Sequence, residues 1–322
     1  MNEYKLPKKL ISVQKKINFL SFFLLLVLIF SYFPIFNKKN GESVNSAILN
    51  PKYADSVYEI DFFDSSLQSS SLAMKKTGNL WFLECDGFVI PANQAEVKAF
   101  LKKSCEIQKF YKISSSKAGL QKLKLLEDQN ADFSVTFKYS GYYGKAGEKS
   151  TVLFNLEKKS LGKLFLRSQN NFAFEIQDLK LASFLTCQIN FWAEPSVFIH
   201  TVFSENNANS IQQILLFKNS TNSYGENKQS LLGSCSESNS IKKLLSLNHG
   251  QFFSDKKFIQ DNSRKSIYSI FVEFGDTSSI KISVIPFQEE NYVLSYSFTP
   301  ADYMESKKSS VIKNLNFAFT VS

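Results

Sequence analysis

Residues 17–36, running from Ile17 to Phe36, carry no charge and are mostly aliphatic or phenylalanine, with Lys15 and Lys16 before them and Lys38 and Lys39 after. A helix of twenty residues at about 1.5 Å each is about 30 Å long, the thickness of a bilayer's hydrocarbon core. This run fixes where the chain works before anything else is read. A cleaved secretory signal has a shorter apolar core, about 7 to 15 residues, followed by small residues at the cleavage point. Here the run ends in Tyr32, Phe33, Pro34, Ile35 and Phe36 and meets lysines directly, so a retained anchor is expected. Lys5, Lys8, Lys9, Lys15 and Lys16 stand against one acid, Glu3, ahead of it, and the more basic flank stays in the cytoplasm. The expectation is a single-pass protein of the cytoplasmic (inner) membrane with residues 1–16 as a basic cytoplasmic tail, 17–36 as the anchor, and an extracytoplasmic body.

The net charge of +9 invites a nucleic-acid reading, but through Asn40 the lysines number seven and the acids one, leaving +3 to everything after. Lysines clustered beside an apolar helix fit anionic lipid headgroups better than phosphodiesters. No nucleic-acid partner is expected, and the N-terminal helix takes membrane lipid as its partner. Roughly 280 residues remain after the anchor, enough for one large or two ordinary cores. The four cysteines, Cys85, Cys105, Cys187 and Cys235, would lie where disulfides persist. They allow three pairings, with buried thiols as the alternative, since none sits in a C-x-x-C spacing.

Residues 37–56 are polar and read as a tether. From 57 to 63, Tyr58, Ile60 and Phe62 alternate onto one face of a strand. A second strand at 72–76 turns at Thr77, Gly78 and Asn79 into a third at 80–84. Asn93 then caps a helix, with Glu96 placed to return the bond. Val97, Phe100, Leu101 and Cys105 form its inner side and Lys98, Lys102 and Lys103 its outer. Strands follow at 133–139 and 150–156 across a glycine-rich turn at 141–147, then at 163–168 and 172–176. One amphipathic helix carries Leu181, Phe184 and Leu185 and stops by Pro195.

The later part repeats this order. Residues 212–220 echo 58–66, 240–247 read as a helix through Ile241, Leu244 and Leu245, and strands follow at 266–274, 280–285 and 292–298. The fold class expected is α+β: a transmembrane helix followed by antiparallel sheets with a few packed helices. The order of elements suggests two similar tandem α+β units, 57–200 and 201–322, offset by roughly 130 to 150 residues, a domain-sized repeat.

No constellation carries catalysis. His200 and His249 are the two histidines, too few for a histidine-rich metal centre, and neither has ligand spacing with the cysteines. His200 beside Ile199 and Val202 reads as packed, and His249 before Gly250 as a residue at a helix C-terminus. There is no G-x-S-x-G elbow, and the segment from Gly233 to Ser236 reads as a small polar loop. Gly141, Gly144 and Gly147 lie between strands rather than before a helix, and their tyrosines make a hairpin tip. The adjacent acids Glu127 and Asp128, and Glu289 and Glu290, fall in solvated turns. The expectation is therefore a non-enzyme with no catalytic, cofactor-binding or metal site and no cofactor.

Trp81-Phe82-Leu83 followed by the helix with Val97, Phe100 and Leu101 resembles the Trp-x-Leu strand and helix of a bacterial domain-of-unknown-function family described as a gliding-motility or ABC-transporter auxiliary component. Ala118-Gly119-Leu120 is similar to that family's Gly-Leu segment, and Phe191-Trp192-Ala193-Glu194 to its aromatic-Trp-x-acid ending. The resemblance covers about residues 57 to 198. It departs at Asn155 and Leu156, where the family turns on an Ile-Gly pair. It implies a non-enzymatic accessory or scaffold subunit beside an ABC-type permease and ATPase complex. The alternatives are an extracytoplasmic domain binding a ligand or envelope polymer between the two halves and, less favoured, an envelope hydrolase.

Overall fold

A computed structural model describes Ser21 and residues 42–65, 70–126, 131–140, 147–168, 172–196, 211–221, 227–235, 247–275, 279–288, 290–299 and 316–321. Apart from Ser21, the expected anchor at 17–36 lies outside these residues. So does the expected helix at 240–247, apart from Leu247. Among the described residues no helix is long and apolar enough to cross a membrane.

The described chain is mostly antiparallel sheet with a few short helices. Its strands are β1 (Ser43–Ser46), β2 (Val57–Asp64), β3 (Ser70–Thr77), β4 (Leu80–Cys85), β5 (Phe88–Pro91), β6 (Gln108–Ser114), β7 (Phe133–Tyr139) and β8 (Glu148–Asn155), then β9 (Lys163–Arg167) and β10 (Ala173–Gln177). The later ones are β11 (Ile211–Thr221), β12 (Asn227–Cys235), β13 (Tyr268–Phe274), β14 (Ser279–Phe287), β15 (Asn291–Thr299) and β16 (Asn316–Val321). The helices are α1 (Gln94–Cys105), α2 (Lys117–Lys122), α3 (Leu179–Phe184), α4 (Ile189–Trp192) and α5 (Lys256–Asn262).

Side by side the strands run β1, β6, β10, β9, β8, β7, β2, β3, β4, β5, β16, β15, β14, β13, β11, β12. One pattern of neighbours occurs twice. The hairpin β2–β3 lies beside the four-strand meander β7 to β10, with β2 touching β7; the hairpin β11–β12 lies beside β13 to β16, with β11 touching β13. Among the described residues the two parts of the sheet join at β5 and β16 through the pair Val89 and Asn316.

Local sequence accounts for most of these elements. In β7 the alternation puts Phe133, Val135, Phe137 and Tyr139 inside, a half-buried strand by period two. Gly78 supplies the left-handed φ of +61° that lets Thr77 pair with Leu80 across two residues. The Asn93 side chain accepts from the Ala95 and Glu96 N–H groups and starts α1. Glu96 does not return the bond; the Asn93 N–H instead donates to the Trp192 carbonyl at 2.7 Å. The buried stripe of α1 is Val97, Phe100 and Ser104, while Leu101 and Cys105 are half-buried beside it.

Several segments differ from expectation. Residues 42–56 fold against the body instead of tethering it: β1 pairs with β6, Leu49 is 1% exposed, and its N–H donates to the Ser104 carbonyl at 2.9 Å. The helix expected around Leu181 and Trp192 is two short helices, α3 and α4. The expected loop from Gly233 lies in β12 through Cys235. None of the four cysteines is in a disulfide; all are half-buried.

One contiguous cluster of buried side chains includes residues from both parts of the sheet. At its centre the Trp192 ring lies 4.8 Å from Phe191, 5.4 Å from Phe62, 5.8 Å from Phe100 and 5.9 Å from Phe184. Its indole N–H donates to the Thr186 carbonyl at 2.8 Å. Trp192→Ala is expected to cost about 3–5 kcal/mol, the range for deleting a fully buried aromatic, measured by denaturant unfolding. Tyr296 is the opposite case: it is 2% exposed and its hydroxyl has no hydrogen-bond partner among the described residues. Leaving such a group buried costs about 1–3 kcal/mol, so Tyr296→Phe is expected to leave stability unchanged or raise it. A clear loss of stability in that variant would show the hydroxyl to be satisfied.

Candidate functional site

Where β2 to β5 approach β15, the structure forms an open cleft of about 1070 Å³. Strand alternation builds it. The faces of β2, β3 and β4 that point away from α1 carry Asp61, Ser71, Ala73 and Glu84, and β15 contributes Ser295 and Ser297 from the other part. The registers place Asp61 opposite Ala73 and Ala73 opposite Glu84, so both carboxylates lie at one level of the sheet. The turn from β4 to β5 adds Asp86 and Gly87, both in the left-handed region at φ 49° and 74°. That is the Asp-Gly signature of a two-residue hairpin, present in the sequence and missed in its reading.

The carboxylates are matched by lysines. Lys138 reaches Glu59 at 2.8 Å and Asp61 at 2.9 Å, and Lys75 pairs with Glu84. These hydrogen bonds hold both ammonium groups above the usual lysine range. The alternation of Glu59, Asp61, Lys75, Glu84 and Lys138 on the faces opposite the buried side chains is the sequence signal for this site. These charges are spread over four strands, β2, β3, β4 and β7, and meet only through register, which no run of adjacent acids announces.

Cys85 on the cleft wall interacts electrostatically with the half-buried Cys187, which lies near Lys159. Burial first, then the Asp86 carboxylate, pushes the Cys85 thiol up to about 11. Burial and then Asp64 push Cys187 up to about 12. Burial also pulls Lys159 below its ordinary value, and its ammonium donates to the Leu185 carbonyl. Thiols held protonated at neutral pH are poor nucleophiles and poor metal ligands. Among the described residues no three of His, Cys, Asp and Glu converge as a metal site. The arrangement offers paired charges and hydroxyls to a polar ligand.

The sequence candidates do not gather here. His249 stacks on Phe319 with ring centroids 3.4 Å apart. Its Nδ1 faces the Gly250 carbonyl at 3.0 Å and its Nε2 the Glu194 carbonyl at 2.5 Å. The ring is packed and hydrogen-bonded between the two parts of the chain. Glu290 is an exposed turn residue. His200, Glu127, Asp128, Glu289 and residues 141–146 lie outside the described residues.

A thiol whose folded pKa is raised above its unfolded value contributes stability that is present below the unfolded pKa and is lost as pH climbs through the folded one. The protein is therefore expected to lose stability between pH 9 and about 12. Cys187→Ala should flatten that loss in denaturant titrations, and alkylation of Cys85 and Cys187 should stay slow at pH 8. Rapid alkylation of either at that pH would contradict the burial described. No family model, curated protein or solved structure matches this chain.

Proposed function

We propose that the chain is a single-pass accessory subunit of the cytoplasmic membrane, whose extracytoplasmic body serves as a non-enzymatic scaffold beside an ABC-type permease and ATPase complex. The observation that carries this reading is the uncharged run of residues 17–36 between lysine pairs. It ends six residues before the first described residue of the body, Glu42, a reach of about 20 Å at full extension. A body held that close to a bilayer has a high local concentration near membrane partners, so modest interfaces suffice. Edge strand β12 supports a protein partner: its Leu231 and Leu232 are 56% and 54% exposed, whereas native edges are usually blunted with charge or proline.

The family resemblance at Trp81, Gly119 and Trp192 points the same way. We also infer that the body is a duplicated unit, a reading supported by the twice-used pattern of hairpin beside four-strand meander. A second reading, an extracytoplasmic ligand-binding domain, is favoured by the position of the cleft between the two parts of the sheet.

Protease added to intact spheroplasts is expected to digest the body while the chain stays in the carbonate-washed membrane fraction. A photo-crosslinker at Leu231 or Leu232 should capture a polytopic permease. An untouched body, mature soluble material trimmed beyond Phe36, or capture of no permease would count against the accessory role.

A further inference from the structure

A second concavity, of about 760 Å³, lies between α1, the tip of β3 and the turn of residues 51–56. Lys98 and Lys102 stand one turn apart on the exposed side of α1, and Lys76 faces them from β3. Like charges at i and i+4 repel and destabilise a helix. None of these three lysines forms an ion pair with a described residue. Other exposed lysines, Lys117 and Lys257 among them, also lack an ion pair with a described residue; these three are set apart by lining one concavity together. Two acids border the groove. Glu106 is already held by Lys103 at 2.7 Å, which leaves Asp55 alone against three cations. Between the lysines the lining is partly apolar, with Ala54, Leu101 and Cys105 half-buried.

The chain enters the described body at Glu42, beside Lys112 of β6, and reaches this groove nine residues later at Pro51. Leu49 is hydrogen-bonded to Ser104 in the last turn of α1, and Pro51, Ala54 and Asp55 form one wall. An excess of cations over a partly apolar lining, on a body that the expected anchor holds at the membrane, matches a singly charged phosphodiester carrying a glycerol and the start of an acyl region.

We infer that this groove binds the headgroup of an anionic phospholipid and so sets the orientation of the body on the membrane surface. This deepens the anchored reading above and rests on it. Lysines near an anionic membrane surface contribute about fivefold each in affinity. Replacing three is then expected to weaken the contact roughly a hundredfold.

The test uses the full chain in nanodiscs of phosphatidylcholine with or without phosphatidylglycerol, read by amine acetylation and mass spectrometry. Acetylation of Lys76, Lys98 and Lys102 is expected to slow several-fold when phosphatidylglycerol is present, while Lys257, exposed on α5, keeps its rate. Short-chain phosphatidylglycerol added to the detergent-solubilised chain should give the same protection, and inorganic phosphate should not. In the Lys76→Gln/Lys98→Gln/Lys102→Gln variant, short-chain phosphatidylglycerol should bind the detergent-solubilised chain roughly a hundredfold more weakly than it binds the parent. Equal acetylation in both kinds of disc, or equal protection by phosphate alone, overturns the inference. Those results come from a chain still embedded in its disc, so they are distinct from failure of the anchor, which fractionation reports.

Discussion

The body of this protein depends on the closure of residues 191–194 over the junction of β5 and α1. Trp192 fills the space between β2, α1 and α3 with four other rings around it. The backbone on either side of its ring is pinned to the sheet: the Asn93 N–H donates to the Trp192 carbonyl at 2.7 Å and the Glu194 N–H to the Pro91 carbonyl at 2.9 Å. Gln94 completes the closure, its amide donating to the Trp81 carbonyl and accepting from the Trp81 N–H, each at 2.9 Å. A helix start that must satisfy its own N–H groups thus has its cap residue, its first side chain and its neighbouring strand bound in one network. Aromatic packing supplies the burial, and the hydrogen bonds fix its position.

Charge is arranged around that core by the two periods of the chain. Period two sends Ile60 and Phe62 inward and Glu59 and Asp61 outward, where Lys138 answers both. Helical period sends Val97 and Phe100 inward and leaves Lys98 and Lys102 outward, unanswered. Lys103 is the exception that ties layers together. It pairs with Asp178 at 2.9 Å, the same carboxylate that caps α3 through the Leu181 N–H. At 7% side-chain exposure for Asp178, this pair is partly desolvated and depends on both partners being present.

The first part of the sheet was legible because its signals were strong and local. Residues 57–63, 72–76 and 133–139 alternate, and Asn93 and Gly78 are unambiguous punctuation. What stayed hidden was set by contacts distant in sequence. Residues 43–46 have no apolar alternation and become β1 only because β6 offers an edge. Gly233 and Ser234 look like loop residues and are held in β12 by pairing with Leu216 and Leu215. The cleft was unreadable for a related reason: Asp61, Glu84 and Ser297 are dispersed along the chain and meet only through register. Helix α5 has a clear signal in Asp255, which accepts from the Phe258 N–H at 2.9 Å. It was passed over because 240–247 carries the stronger apolar pattern.

The join between the two parts of the sheet follows from these same rules. Besides the pair of Val89 and Asn316, side chains pack across the seam. Phe252 meets Phe88 at 5.2 Å and Phe319 at 6.0 Å, and Lys256 lies over the Phe88 ring at 4.5 Å. His249 stacks on Phe319 and reaches back to the Glu194 carbonyl, so the segment that closes the first core is also a strut of the second. Aromatic contacts tolerate small shifts better than a hydrogen-bond ladder does, because dispersion is spread over many atom pairs while a hydrogen bond weakens steeply with misalignment.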